Sequence, residues 1–546
     1  MSKIQKSHQY KSIKMKNGNN MIINYFIVIS ILLSVIEIVN PLRQFQLYLQ
    51  NSEITLKING IGQQLILNSD ICPDYIYLND DEENNIKNTD NCRTIIIPSE
   101  ENQINQVKLI WNTKLSSLNG ILALLQNLIE VDLSNFDASE VEDMTYMFQD
   151  CSSLKSINFG NFNTSKVKSM ECMFYGCSSL TNLDLSSFDT PKVTVMRLLF
   201  FGCSSLTSLN IENFDTSETL DMEFLFFNCS KLQYLSLKNF DTSKVEKMNF
   251  MFCQCNSLEY LDLSTFNTSS LIDMDYMFSY SERLTSINLY NFDTSKVFTM
   301  KSLFEGCSSL NYLNISTFDT SNVNNMDNMF TNCLNLKSLD LFHFNTHKLL
   351  SASGMFSDCI SLTSLNISNF DTSQITDMSS FFKNCQNLLN LDLSSFETSK
   401  VEIMESMFEG CTSLSSLNFK NINTNSLISL DNMFKDCINL EYINFESYID
   451  QNSSVIINNI LQNIPNNIVI CINQNNNIGK LMEMINNKTC PTIYCGDDWK
   501  SKKKLISENN ICIDNKEIDS SETIISSAEI KEDTNLIKKV NIKVLI

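Results

Sequence analysis

The residues of this 546-residue chain with chemistry to offer are 19 cysteines, three histidines and an aspartate that recurs at one place in a repeated motif. His343 and His347 stand four apart, the spacing of a metal pair on one helix face. No third ligand lies near them in sequence and they flank a turn motif, so they read as exposed turn residues. Cys490-x4-Cys495 has neither a second pair at zinc spacing nor a neighbouring histidine, which points to disulfide chemistry. The recurring Asp189, Asp215, Asp241, Asp293, Asp319 and Asp371 could offer stacked carboxylates to Ca²⁺, but turn and cap chemistry already accounts for them. A Ser-His-Asp or Cys-His site would need His343 or His347 beside a nucleophile in a pocket. No catalytic residue, metal site or cofactor is therefore expected, and the chain is not read as an enzyme.

Composition narrows the partners. Only 12 Gly and 6 Pro occur, which disfavours Gly-rich phosphate loops and flexible low-complexity linkers. A net charge of −22 argues against nucleic acid, whose phosphates require a basic footprint.

The elements that must position these residues come from an internal repeat. Cys151, Cys177, Cys203, Cys229, Cys255, Cys307, Cys333, Cys359, Cys385, Cys411 and Cys437 fall on one 26-residue grid whose single vacancy is Ser281. Twelve units run over residues 141–452, and residues 115–140 form a degenerate N-capping repeat with Leu122, Leu125, Leu128, Val131 and Leu133. In each unit Val141, Met144, Met147 and Phe148 occupy i, i+3, i+6 and i+7, one face of a short helix. Ser139, Ser243 and Ser399 followed by Glu142, Glu246 and Glu402 read as capping boxes. Gly, Asn or Asp before the cysteine marks a left-handed stop. Leu180, Leu183 and Leu185 alternate as a short strand. One helix and one strand per unit give an α/β solenoid: a leucine-rich-repeat array with a parallel β-sheet face and short helices opposite, 26-residue period, 12 full repeats plus caps.

Successive grid cysteines would lie near 5 Å apart, but translation makes their side chains parallel, so buried free thiols are expected. Cys172 and Cys253 fall on variable helix positions and read as exposed thiols or as a cross-link to something else.

The motif M-F-x-x-C-x-S-L-x-x-L-D-L-S-x-F-D-T-S-x-V, nearly unchanged over Met173–Val193 and Met407–Leu427, resembles the BspA-type leucine-rich repeat family of surface proteins. The resemblance covers about 340 residues of the chain. It implies a cell-surface or secreted solenoid, adhesive toward host or matrix proteins.

The flanks bear on compartment. Residues 1–40 read as a signal peptide or signal anchor, with five lysines before an uncharged stretch over 21–36 and membrane attachment through residues 21–40 as one outcome. Residues 41–114 form a small β-rich module, with a hairpin turned by Asn59-Gly60-Ile61-Gly62. Residues 453–495 are a C-terminal cap, including a helix over Ser454–Gln462, and 496–546 a polar mobile tail. Cys72, Cys92, Cys471, Cys490, Cys495 and Cys512 lie outside the array and are the disulfide candidates, with connectivity open. Seven glycosylation sequons begin at Asn163, Asn228, Asn267, Asn314, Asn366, Asn452 and Asn487.

What remains is the outward strand face. One column is Asp or Asn (Asp184, Asn210, Asp262, Asn288, Asn314, Asp340, Asn366, Asp392), and aromatics gather beside it: Tyr234, Tyr260, Tyr290, Tyr312 and Phe342. Aromatics in a polar sheet are binding anchors; the bland reading is strand residues stacking on their neighbours. The same stretch holds Ser281-Glu282-Arg283. The expectation is a non-catalytic, extracellular or cell-surface protein that binds a protein or glycan through this face. The alternative is a structural coat or spacer without a dedicated ligand.

Overall fold

The computed structural model describes residues 52–79, 92–98 and 104–514, apart from 390, 421–422, 449–454 and 476–477. The expected signal or anchor, the Asn452 sequon and residues 515–546 lie outside the described residues.

The apolar positions of each repeat face inward as their period demands. Val141, Met144, Met147, Phe148, Cys151 and Leu154 are fully buried, and so are their counterparts up to Phe434, Cys437 and Leu440. The backbone that carries them, however, is not helical. Met147 N–H donates to Met144 O (3.2 Å), Gln149 to Tyr146 (3.1 Å) and Cys151 to Phe148 (3.1 Å), closing successive turns. The intervening amides of Met144, Tyr146, Phe148 and Asp150 donate instead to Ser169, Glu171, Met173 and Tyr175 in the next coil, at 2.7–3.1 Å. The chain is a β-solenoid. Its seven-residue turn segments replace the expected helices, and Ser139, Ser243 and Ser399 with Glu142, Glu246 and Glu402 cap no helix.

The reason is pitch. Packed helices need about 8–10 Å between axes, whereas stacked backbones bond at roughly 4.8 Å. Thirteen parallel bridges, from Ser117↔Asp143 to Ser429↔Ile456, join 14 coils along this turn face. The array thus exceeds the expected 12 units: the degenerate segment from residue 115 is coil 1, and the segment around Ile456, expected as a helix, is coil 14.

Two residues per turn segment take a left-handed backbone, for instance Tyr146 (φ 60°) and Asp150 (φ 55°). The second site uses Gly176, Gly202, Asn228 and Gly306, as the residue types before the cysteine imply, but as the third residue of a β-turn rather than a helix stop.

Ring spacing measures how the coils fan, because parallel rings related by translation lie one coil step apart. At the turn surface the step is 4.4–4.6 Å (Tyr175–Phe201, Phe201–Phe227, Phe224–Phe250, Phe250–Tyr276). In the central column it is 5.6 Å for Phe148–Phe174 and 5.8 Å for Phe252–Phe278. At the F-D-T edge it reaches 6.4–6.5 Å (Phe266–Phe292, Phe292–Phe318). The turn face is the inside of the curve.

A step above 6 Å is too long for direct amide-to-carbonyl bonds, and the F-D-T edge bridges it with threonine. Thr268 Oγ1 donates to Asp293 O (3.0 Å) and accepts from Asp293 N–H (2.7 Å). Thr164, Thr190, Thr346 and Thr372 repeat this two-way bridge. An Asp or Asn before the threonine closes an Asx turn, as Asp293 Oδ1 does on Ser295 N–H (3.0 Å) and Asn163 Oδ1 on Ser165 N–H (3.0 Å).

The strand face is likewise not the single sheet expected. Coils 1 and 2 contribute β6 (Leu128–Asp132) and β7 (Ser156–Asn158). The parallel pairs β8 (Asn182–Asp184) with β9 (Ser208–Asn210), β10 (Tyr260–Asp262) with β11 (Ser286–Asn288), and β12 (Ser338–Asp340) with β13 (Ser364–Asn366) follow. Around Leu235 and Leu313 the chain leaves the ladder. Within pairs an amide clasps the preceding carboxylate, as Asn210 Nδ2 does Asp184 Oδ1 (3.0 Å) and Asn366 Nδ2 does Asp340 Oδ1 (2.9 Å).

Both ends are covered. β1 (Ser52–Asn59) pairs antiparallel with β6 on one side and with β5 (Ile104–Trp111) on the other; β3 (Tyr75–Leu78) lies beyond β5. β2 (Gly62–Leu65) pairs with β4 (Thr94–Ile97), not with β1, so Asn59–Gly62 does not turn a hairpin. At the far end β14 (Ser416–Asn418), β15 (Tyr442–Phe445), β16 (Val469–Ile472) and β17 (Thr492–Ile493) form a parallel sheet. α1 (Gly479–Asn486) then takes the place of a turn segment and satisfies its own amides where no further coil follows. The region expected as a tail has structure to residue 514: α2 (Trp499–Lys502), then β18 (Leu505–Ile506) paired with β19 (Cys512–Ile513).

Replacing Thr268 by Val removes the hydroxyl bridge at constant shape and leaves the Asp293 amide and carbonyl without it, at a cost of about 1–3 kcal/mol. Thr268→Ser keeps the bridge and should lose much less. Urea denaturation of both variants distinguishes a bridge from a packing role, since a loss in Thr268→Ser with none in Thr268→Val would assign the cost to the methyl group.

Candidate functional site

The five strand-face aromatics point outward. Tyr234, Tyr290 and Tyr312 are 74%, 68% and 66% exposed, Phe342 55% and Tyr260 52%. Their positions follow from the two-residue alternation beside buried Leu235, Leu261, Leu289, Leu313 and Leu341. Among the described residues none of the five rings contacts another aromatic ring, so stacking on neighbours does not account for them. Tyr234 and Tyr260 border a shallow groove of about 270 Å³ that also includes Lys238, Asp262 and Thr265. Lys238 faces Glu212 (3.8 Å) and Arg283 faces Glu259 (2.5 Å) along the same side. Asp262, in the column between the aromatics, is held below the usual carboxylate range by hydrogen bonds from Ser264, so the groove keeps its negative charge.

Ser281, the vacancy in the grid, is explained by the bond the cysteines make. Cys307 Sγ donates to Phe278 O (3.1 Å) and Cys255 Sγ to Phe226 O (3.2 Å), each reaching one coil back. Ser281 Oγ makes the same bond to Phe252 O at 2.7 Å. All 13 cysteines inside the array are free and buried. Cys172 and Cys253 are among them, at 5% and 3% exposure, which corrects their expected exposure: they sit in stacked turns, not on a helix surface. Burial pushes their thiols up to about 12. The six outer cysteines pair as Cys72–Cys92, Cys471–Cys495 and Cys490–Cys512.

The residues considered for metal chemistry are placed apart. His343 Nε2 bonds Ile315 O (2.9 Å) and His347 Nδ1 bonds Asn345 Oδ1 (2.6 Å). Asp215, Asp241, Asp293, Asp319 and Asp371 each accept from the serine two residues on, at 2.9–3.0 Å. Among the described residues no three His, Cys, Asp or Glu side chains are grouped as metal ligands would be. No described helix is long and apolar enough to cross a membrane.

The turn face carries a second aromatic group that helical reasoning concealed. Tyr175, Phe201 and Phe227 stack in one column and Phe224, Phe250 and Tyr276 in the next, with Phe224 and Phe227 5.7 Å apart. All six are half-buried, and Tyr146 and Tyr280 extend the group at 37% and 41% exposure. Its signal in the sequence is the excess of aromatics at the variable positions of coils 2–7. From coil 8 the column of Phe224, Phe250 and Tyr276 holds Ser302, Asn328, Gly354 and Ser380.

A family model described as "Mycoplasma protein of unknown function, DUF285" matches residues 99–208, 194–289, 282–366 and 358–459, an unbroken span of more than half the chain. Similar solved structures include a leucine-rich repeat protein from Eubacterium ventriosum, 17% identical over 55% of this chain and 81% of that one, with a TM-score of 0.27. A TLR13–ssRNA13 complex is 17% identical over 64% of this chain and 58% of that one, with a TM-score of 0.22. The chain thus spans less than two thirds of the latter. No curated protein matches the chain.

Buried thiols at about 12 leave almost no thiolate at pH 8. The native, unreduced protein should resist alkylation there, Cys172 and Cys253 included, and take up 13 labels only after denaturation. Rapid labelling of either residue in the native state would contradict its placement.

Proposed function

The chain belongs to the DUF285 family of repeat proteins, and from that footing we propose that it is a non-catalytic surface protein of the BspA-like kind that binds a protein or glycan partner through its strand face. The observation that carries the reading is the set of five exposed, mutually separate aromatic rings on a face otherwise lined by Asp, Asn, Ser and Thr. Each ring offers a large apolar area at little entropic cost, and the polar neighbours supply hydrogen bonds around it. Each ring is anchored beside one buried leucine of the solenoid, so little backbone ordering is required on binding. The acidic surroundings favour encounter with basic surfaces.

Display outside the cell is part of the same proposal. Three disulfides confined to the two end modules fit an oxidising compartment. Buried array thiols are compatible with either redox state and are neutral on the point.

The test is the double variant Tyr260→Ser, Tyr312→Ser. Both side chains point away from the core, so the thermal midpoint should stay within a degree or two. Capture of the labelled protein on a panel of immobilised matrix proteins and glycans should fall at least tenfold, about 1.4 kcal/mol, for whichever surface retains the wild type. Undiminished capture overturns the assignment of this face.

A further inference from the structure

The turn-face aromatic strip lies on the opposite side of the solenoid from the face discussed above, and no packing need explains it. The column of Phe224, Phe250 and Tyr276 occupies a left-handed backbone site in every coil: Tyr146, Cys172, Leu198, Phe224, Phe250 and Tyr276 have φ between 55° and 60°. Such φ values are unfavourable for bulky side chains. Coils 9, 10 and 13 show the easier solution, with Asn328, Gly354 and Asn432 at the same place. The aromatic choice in coils 2, 5, 6 and 7 is thus made against local backbone preference, and these rings end partly exposed rather than in the core.

The strip runs over coils 2–7, about 20 Å at the turn-face step, two side chains wide in coils 4 and 5 (Leu198 with Phe201, Phe224 with Phe227) and one ring wide in the others. Gly176 and Gly202 follow Tyr175 and Phe201 in the chain and add no side chain beside them. On the other side run Glu171, Asp221, Glu223, Asp273 and Asp275, against Arg197, Lys247 and Lys301. Arg197 is engaged by Glu171 (3.4 Å) and Glu223 (3.1 Å). Among the described residues Asp221, Asp273 and Asp275 have no ion-pair partner. Asp275 Oδ1 accepts from Thr299 Oγ1 and Lys301 N–H, both at 2.7 Å.

Burial raises all three carboxyls, Asp275 to about 6, with Glu223 acting on Asp221 and Asp273, and Asp273 on Asp275, in the same sense. Lys247 opposes this at Asp221 and Asp273, Arg197 at Asp221 and Lys301 at Asp275, without cancelling it. The rim is short of positive charge. Within the chain, a cation already uses the open end of one ring column: Lys301 Nζ lies 5.8 Å from the Tyr276 centroid.

From this combination we infer that the turn face of coils 2–7 is a second binding surface, whose occupant is a cationic segment of a partner protein with apolar side chains along one face. The apolar side chains would cover the ring edges, and Lys or Arg side chains would reach Asp221, Asp273 and Asp275. The inner side of a curved solenoid is where such a segment meets the most surface.

The probe is a synthetic 14-residue peptide of Leu and Lys arranged with a helical period, alongside its Leu and Glu counterpart, titrated against the full-length protein at neutral pH. The Leu/Lys peptide should bind and the Leu/Glu peptide should not. Phe227→Gln with Phe250→Gln, and separately Asp221→Asn with Asp273→Asn, should each weaken binding at least tenfold. The second pair keeps the rings and guards against loss of fold in the first. Asp377→Asn with Asp431→Asn removes the same charge from the turn face of later coils, away from the rings, and should leave binding unchanged. Equal binding of the two peptides, retained binding in the Phe227/Phe250 or Asp221/Asp273 variants, or equal weakening by the Asp377/Asp431 control would overturn the proposal. The strand-face reading would survive that outcome, since Tyr260 and Tyr312 are untouched in every variant.

Discussion

Backbone amides stacked along the turn face hold successive coils 4.4–4.6 Å apart at its surface, and the rest of the molecule adjusts to that distance. In the core the stacked phenylalanines stand one wider step apart, at 5.4–5.8 Å. Geometry then carries the widening on to the F-D-T edge, where amide and carbonyl no longer reach each other and threonine hydroxyls stand between them. A buried amide without a partner is costly. The wide edge is accordingly the one place where a hydroxyl residue recurs in all but unbroken sequence. On the strand face the same strain appears as a sheet divided into pairs.

How much of this could be read from the sequence depends on which force set each feature. Burial follows residue type and period, and the inward positions of the repeat, from Val141 to Leu154, are buried as the pattern requires. Secondary structure over those positions does not follow, because a period of 3 and 4 is shared by a helix and by a run of three-residue turns. What decides between them is the pitch of the stack, a property of neighbouring coils rather than of any one segment. The last coil is hidden for a related reason: it keeps the backbone ladder while losing the cysteine and phenylalanine that mark the grid. Asp184 with Asn210 and Asp340 with Asn366 do record the strand pairing in the sequence, as a carboxylate followed one repeat later by an amide.

The candidate surface was legible where alternation was simple. Beside a buried leucine the next residue must face out, so Tyr234, Tyr260, Tyr290, Tyr312 and Phe342 could be placed on the strand face without coordinates. The turn-face rings could not, since a helical reading spreads their positions around a cylinder and separates columns that the turns bring together. The same misreading put Cys172 and Cys253 at the surface. Cysteine on the grid was easier, because a repeated small residue between phenylalanine and leucine has room only inside, and Ser281 confirms that the position needs a donor toward the preceding coil.

Coil pitch also governs what an exposed aromatic residue can do. On the strand face Tyr234 and Tyr260 occupy the same column in consecutive coils, yet the chain leaves the ladder between them and their rings do not stack. Each therefore keeps its flat face open, and the face acts as a set of separate anchors among hydrogen-bonding groups. On the turn face the tighter step lets Phe224, Phe250 and Tyr276 stack at 4.4–4.5 Å, which buries their flat faces against one another and leaves a continuous line of ring edges. Ring edges carry the positive side of the aromatic quadrupole, and carboxylates are the groups that gather beside this line. One residue type, displayed at two pitches, thus yields discrete anchors on the open side of the curve and an acid-rimmed apolar strip on the closed side.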